Sequence, residues 1–323
     1  MGDTKTPKDK LLIALRKGQA DKVGAMLNQF PDELEPNMSA DTADNRLLHR
    51  AARFGHAAVI TMLVSKGANV GMTNKFGMAA LHHGAVHGGA EVIQSLLDAG
   101  ADPNQPDDAG RLPLHWTATK GHVEGAKVLL AGGANPTGGD KEGFTPLHRC
   151  CQEEPQPKSE EEAEDSYKEK LDHAKSEIAQ ILIAKGASIG ATELKGQQTP
   201  LHLSSLNGLV AVTGVLLSAG ATVNVTNKIG QTPLIYAVIE QQVAVIKLLL
   251  DAGADANQGN PLHSDWAALH WAALSNNPRV VEAVLDTKGV RNVKDASGRY
   301  AVTLAEEHGK EKVVEMLARL KKE

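Results

Sequence analysis

A chain of 323 residues with a net charge of −5, a pI near 6.2 and only ten Phe, Trp and Tyr residues carries no overall basic signature of a nucleic-acid binder. Its two cysteines, Cys150 and Cys151, are adjacent, which argues against a disulfide framework and against a cysteine metal cluster. No run of eighteen apolar residues occurs and the opening MGDTKTPKDK lacks the apolar core of a signal peptide, so a cytoplasmic protein is expected, with the nucleus as the alternative.

In chain order, residues 11–27 read as a helix pair turning at Gly18, and 30–44 as a polar connecting loop. Regular units then begin near Arg46, Gly77, Gly110 and Gly143, and His82, His115 and His148 recur at intervals of thirty-three residues in AALH, LPLH and TPLH. Within DKEGFTPLH, Gly143 suits a turn, Thr145 a helix cap and Pro146 a first helical turn, where no amide donor is needed. Leu147, Cys150 and Cys151 then share one helix face, and VEGAKVLLAGGAN supplies a second amphipathic helix ended by glycine.

Spacing, motif and the later GAD.N segments resemble the ankyrin repeat family over about residues 11–320. The resemblance implies an all-α repeat solenoid of helix-turn-helix units joined by β-hairpin finger loops. It also implies a non-enzymatic adaptor that binds a partner protein through its concave groove and fingers.

The pattern is broken after His148, where the step to His202 is fifty-four residues. Pro155 and Pro157 break the chain, Ser159 is a candidate cap, and a helix from there to Ala184 would carry a seam of Tyr167, Leu171, Ala174, Ile178 and Ile181. Residues 153–177 hold ten acids and four lysines, a net of −6 within the chain's −5. Repeats resume at Gly196 and Gly230, the latter with Ile235 where the others have histidine, and the finger holding Pro261 and His263 is enlarged. The expected division is a capping pair and loop at 1–45, repeats at 46–152, the acidic helical insertion at 153–177, repeats at 178–296 and a capping repeat at 297–323.

Residues following the motif histidine, and the fingers, point away from the buried face. They give the candidate partner-binding set. Its basic and aromatic part is Arg50, Arg53, Phe54, Phe76, His83, His87, Arg111, Trp116, Lys120, Phe144 and Arg149; its apolar part is Tyr236, Ile239, Trp266, Trp271 and Leu274, with Leu203 at an equivalent position. A partner with acidic and hydrophobic segments is expected, since Trp, Tyr and Arg dominate binding hot spots. The bland alternative is that these rings pack between repeats. A structural subunit docking through the acidic insertion is the second reading, and nucleic-acid binding the least supported.

His83 and His87 stand one helical turn apart, a spacing open to metal, but Arg50, Arg53 and Lys120 would repel a cation. No phosphate loop, nucleophile elbow or HExxH occurs, so no catalytic residue, cofactor, metal or small-molecule substrate is assigned. Gly2 and Thr6 match a myristoylation pattern. Asn104, Asn224 and Asn257 hold finger positions that are hydroxylated in some resembling proteins, with turn hydrogen bonding as the ordinary role.

Overall fold

The computed structural model describes residues 5–87, 89–153, 164–275 and 277–318. It forms two compact units, Met1–Lys141 and Glu142–Glu323. In the first unit the helices run in pairs: α1 Pro7–Arg16 with α2 Ala20–Gln29, α3 Leu47–Arg53 with α4 Ala57–Ser65, α5 Ala80–His87 with α6 Ala90–Asp98, and α7 Pro113–Lys120 with α8 Val123–Ala131. In the second they are α9 Pro146–Cys150 with α10 Glu164–Ala184, α11 Pro200–Leu206 with α12 Val210–Ser218, α13 Pro233–Ile239 with α14 Val243–Asp251, α15 Ala268–Leu274 with α16 Pro278–Leu285, and α17 Ala301–Glu307 with α18 Glu311–Leu317. Within each unit every pair packs on the next, first helix against first and second against second.

Local chemistry starts several of the first helices. Thr145, Thr199 and Thr232 accept the amides of His148, His202 and Ile235, respectively, with their hydroxyls, ahead of a proline that needs no donor. The core then comes from both helices of each pair. Leu81, Ala85, Val92, Ile93, Leu96, Leu114 and Leu129 are sealed from water in the first unit, and Ile178, Leu182, Val212, Leu216, Val245 and Leu249 in the second. Small residues permit the close approach: a Cβ on Gly125 would lie 3.0 Å from Ile93 Cδ1 and 3.2 Å from Thr117 Cγ2. Truncating one of these leucines to Ala would cost roughly 2–5 kcal/mol. No single pair encloses that core, so stability comes from stacking.

The motif histidines tie repeat to repeat. In His49, His82, His148, His202 and His270, Nδ1 accepts the backbone amide three residues before, and Nε2–H donates to a carbonyl of the following repeat at 2.9–3.3 Å. Burial lowers the pKa of each, that of His202 to about 4, so the neutral ring is the structural form. Ile235, 1 % exposed, replaces this bridge by apolar packing.

Two expectations change. Among the described residues the fingers contain no strand, only isolated antiparallel bridges at Ser39–Arg46, Thr73–Ala79, Asn260–Trp266 and Lys294–Tyr300. The reason is that a side chain, described below, takes the turn amides that a ladder would use.

The second change concerns the insertion. α10 is continuous from Glu164 to Ala184, ending where the expected helix ends, while the expected start at Ser159 lies outside the described residues; what changes is the buried face. Its buried stripe is Asp172, Lys175, Ser176, Ile178, Ala179 and Leu182, one position on from the expected seam, whose Tyr167 is exposed and whose Leu171, Ala174 and Ile181 are half-buried. Of its three polar residues, Ser176 donates to the His173 carbonyl of its own helix, and Asp172 and Lys175 are buried because they close helix ends. Asp172 accepts the amides of Ala211 (2.8 Å) and Val212 (3.1 Å) at the N-terminus of α12, where the helix dipole favours a carboxylate. Lys175 donates to the Gln152 carbonyl at 2.5 Å, just past the five-residue α9, and Asn207 Nδ2 donates to the Cys151 carbonyl at 2.8 Å. The helix cut short by the insertion is thus finished by side chains from its neighbours. Cys150 and Cys151 are fully buried there, and burial pushes the Cys150 thiol up to about 12.

Candidate functional site

Six of the fingers are organised by one polar side chain, buried in all but the half-buried Asp41. Asp41, Asn74, Asp107, Asn227 and Asp295 each accept two backbone amides of their own turn at 2.8–3.1 Å. Where the turn is one residue longer the organiser is Glu193, whose carboxylate accepts the amides of Lys195, Gly196 and Gln198 at 2.6–3.1 Å. The longer side chain spans the extra residue, and Gln197 absorbs it with φ at 54°. Sequence reasoning missed this set although its period was visible: Asp41, Asn74, Asp107 and Asp140 stand thirty-three residues apart. The asparagines it did single out have a different task. Asn104, Asn224 and Asn257 each donate to a glycine carbonyl of the next repeat and accept an amide from it, a bridge between repeats where hydrogen bonding within the turn was expected.

In the first unit the organisers also engage the basic residues. Arg111 Nε meets Asp107 at 2.9 Å while its guanidinium lies 4.2 Å from the Trp116 ring centroid. Arg50 meets Asp41 at 3.3 Å and lies 5.5 Å from the Phe54 ring. Burial works against the Asp41 carboxylate, but hydrogen bonds from Asn45 and Ala43 and the charge of Arg50 outweigh it and lower its pKa. Two of the arginines expected to face an acidic partner are therefore neutralised by their own fingers.

His83 packs edge-on against His49, with ring centroids 5.5 Å apart, and lies 3.4 Å from Asn74 Nδ2. Burial, followed by the charges of His49, His87, His82 and Arg53, lowers its pKa to about 3, which keeps it neutral near pH 7. Arg53, His87 and the finger residue Phe76 are exposed; Phe54, Trp116 and Lys120 are half-buried. Among the described residues no trio of His, Cys, Asp or Glu converges to hold a metal.

The second unit presents a different surface. Phe144, Tyr236 and Trp266 are half-buried, each ring 5.8–6.4 Å from the motif histidine of its own repeat or the one before. Arg149 lies 4.7 Å from the Phe144 ring centroid and donates to Gln152 Oε1. Trp266 and Trp271 meet edge-to-face at 5.0 Å, with His263 from the enlarged finger 5.8 Å from Trp271. The Trp266 indole donates to Asp295; burial opposes that carboxylate's charge, but bonds from Arg299, Trp266 and Ser297 prevail and hold its pKa at about 2. Ile239 and Leu274 are half-buried in the last turns of α13 and α15, whereas Leu203 is sealed at 4 % exposure. Its short side chain is covered by the stack where larger rings at that position reach the surface. Leu203 therefore leaves the candidate set.

A recess of about 400 Å³ opens between three of these fingers, with Phe144, Ile229 and Tyr236 on its apolar side and Glu142, Lys195 and Lys228 at its rim. The Tyr236 hydroxyl accepts from Gln198 Nε2 (2.7 Å) and Asn227 Nδ2 (3.0 Å), which leaves its own proton to donate. Thr6, the residue of the terminal pattern that is described, caps α1 by accepting from the Asp9 amide at 3.1 Å; Gly2 lies outside the described residues. No helix among the described residues is long and apolar enough to cross a membrane.

Comparison with protein families finds the sequence model of ankyrin repeats matched three times, over residues 11–107, 81–159 and 171–260. A search of curated proteins finds no match to the chain.

Proposed function

The chain belongs to the ankyrin repeat family, whose repeats are general protein–protein interaction modules, and from that premise we propose that it is a non-enzymatic adaptor whose second unit holds a partner protein against its finger loops and first helices. The observation that carries this reading is the placement of Phe144, Tyr236, Trp266 and Trp271, all half-buried along one series of fingers and first helices. A ring needed only for packing gains most by being sealed, whereas half-exposed Trp and Tyr beside a recess are the residues from which interface hot spots are made. The same reasoning gives Trp116 in the first unit a supporting part.

The test is a crosslinking pull-down from cell lysate with the intact chain, a Trp116→Ala, Tyr236→Ala, Trp271→Ala variant, and a deletion of residues 154–166. That deletion leaves Asp172 and Lys175 at their helix ends. Partners lost only with the triple variant support the adaptor. Equal recovery by the triple variant overturns it. Partners lost only with the deletion favour the second reading, a subunit docking through the acidic insertion, which draws its support from the exposed Tyr167 on α10 (39 % exposed).

A further inference from the structure

Three consecutive fingers of the second unit each leave one large aliphatic side chain in water: Leu194 at 72 %, Ile229 at 45 % and Leu262 at 65 % exposure. An exposed leucine alone requires no explanation. These three recur at one place, one or two residues after Glu193, Asn227 and Asn260, the last of which accepts the Leu262 amide at 2.9 Å, and so form a row.

The spacing of that row is fixed by hydrogen bonds between fingers. Lys228 N–H donates to the Gly196 carbonyl (2.9 Å), and Asn260 Nδ2 donates to the Ile229 carbonyl (3.0 Å). Taking a finger as two chain widths across, with chains about 4.8 Å apart, gives a nominal repeat of about 9.6 Å for the tips. A polyproline II chain returns every third side chain to the same face after about 9.3 Å. A β-strand does so every second residue, after about 6.7 Å, and falls out of step. An α-helix can approach the interval with a seven-residue repeat, about 10.5 Å, but its carbonyls are bonded internally. Polyproline II carbonyls are free, and the Tyr236 hydroxyl beside Ile229 has a proton to donate. The rim charge selects further. Lys228 is exposed, with no ion-pair partner among the described residues, and the side chain of Lys195 is 88 % exposed, its nearest carboxylate, Glu142, at 4.0 Å.

We propose that this row binds a polyproline II segment of a partner protein, with an aliphatic side chain at every third position seated on Leu194, Ile229 and Leu262 and acidic residues between them facing Lys195 and Lys228. The proposal rests on the adaptor reading above and names the chemistry of its partner.

The experiment is fluorescence anisotropy of the full chain with a labelled peptide of three Leu-Glu-Pro triplets, against a peptide of the same composition in which the leucines alternate. The triplet peptide is expected to bind at least about tenfold more tightly. That preference is expected to vanish in Leu194→Ser, Ile229→Ser, Leu262→Ser, three exposed positions whose change spares the core. Lys228→Glu is expected to weaken binding and flatten its salt dependence. Equal affinity for both orders, no binding of the triplet peptide, undiminished binding by the tip variant, or tighter binding of a helical peptide with leucines every seventh residue would each overturn the proposal. If the peptide fails while the Tyr236 and Trp271 changes still remove partners in the pull-down, the adaptor reading stands and this inference alone falls.

Discussion

The two units place different chemistry at equivalent positions. In the first, Arg50 and Arg111 are answered by Asp41 and Asp107 and His83 is held neutral, so much of the charge visible in the sequence is engaged inside the protein. In the second, Tyr236 and Trp271 follow the motif position and Leu194, Ile229 and Leu262 stand at the tips with apolar surface in water. Polar groups find partners close by in a repeat because every turn supplies donors and acceptors. Leu194, Ile229 and Leu262 at the tips are left in water, and that surface is the one proposed to hold a partner.

The largest expected effect comes from breaking the internal answer in the first unit. Asp107→Ala removes the acceptor of two turn amides and the partner of Arg111. It should cost about 3 kcal/mol in urea unfolding, the upper estimates being discounted because Arg111 is partly in water. The freed guanidinium should also give the first unit a salt-sensitive binding to acidic peptides that this unit lacks in the parent chain, read in a variant that also carries Lys228→Glu. Next in size is Lys175→Met, which asks whether buried polar groups of the second unit obey the same rule. Loss of the bond to the Gln152 carbonyl should cost about 2 kcal/mol, with amide exchange accelerated in α9.

A third prediction concerns pH. The folded pKa of His202 lies near 4, below an unfolded value of about 6.5. Both states are neutral above that value; as pH falls from about 6.5 to about 4 the unfolded chain binds a proton that the folded one refuses, and stability declines. His202→Ile, imitating Ile235, should reduce the slope of stability against pH by up to about 1.4 kcal/mol per unit in melts across that window. The smallest effect is expected at the tips: Leu194→Ser, Ile229→Ser and Leu262→Ser should each change stability by no more than about 0.5 kcal/mol, since none is buried.

How far these features could be read in the sequence follows the same division. Helix starts and turns were legible because Thr145, Pro146 and Gly143 act on their own backbone, and the structure places them as the motif implies. The enlarged finger at Pro261 and the extra residue near Gly196 were visible by counting. The stripe of α10 was misjudged because Asp172 and Lys175 look like solvent-facing residues until the ends of α9 and α12 are beside them. Arg50 and Arg111 looked available because their carboxylates sit on the preceding finger turns. The aliphatic tips carry no signal in the sequence, since Leu194 and Leu262 look like ordinary apolar residues until the turns that hold them in water are formed.

The central claim is that binding belongs to the second unit. It is tested most directly by quantifying crosslinked partners for two variants side by side, Arg53→Ala with Trp116→Ala in the first unit and Tyr236→Ala with Trp271→Ala in the second. The account predicts that the second pair loses the partners while the first retains most of them. Loss with the first pair and retention with the second would contradict it.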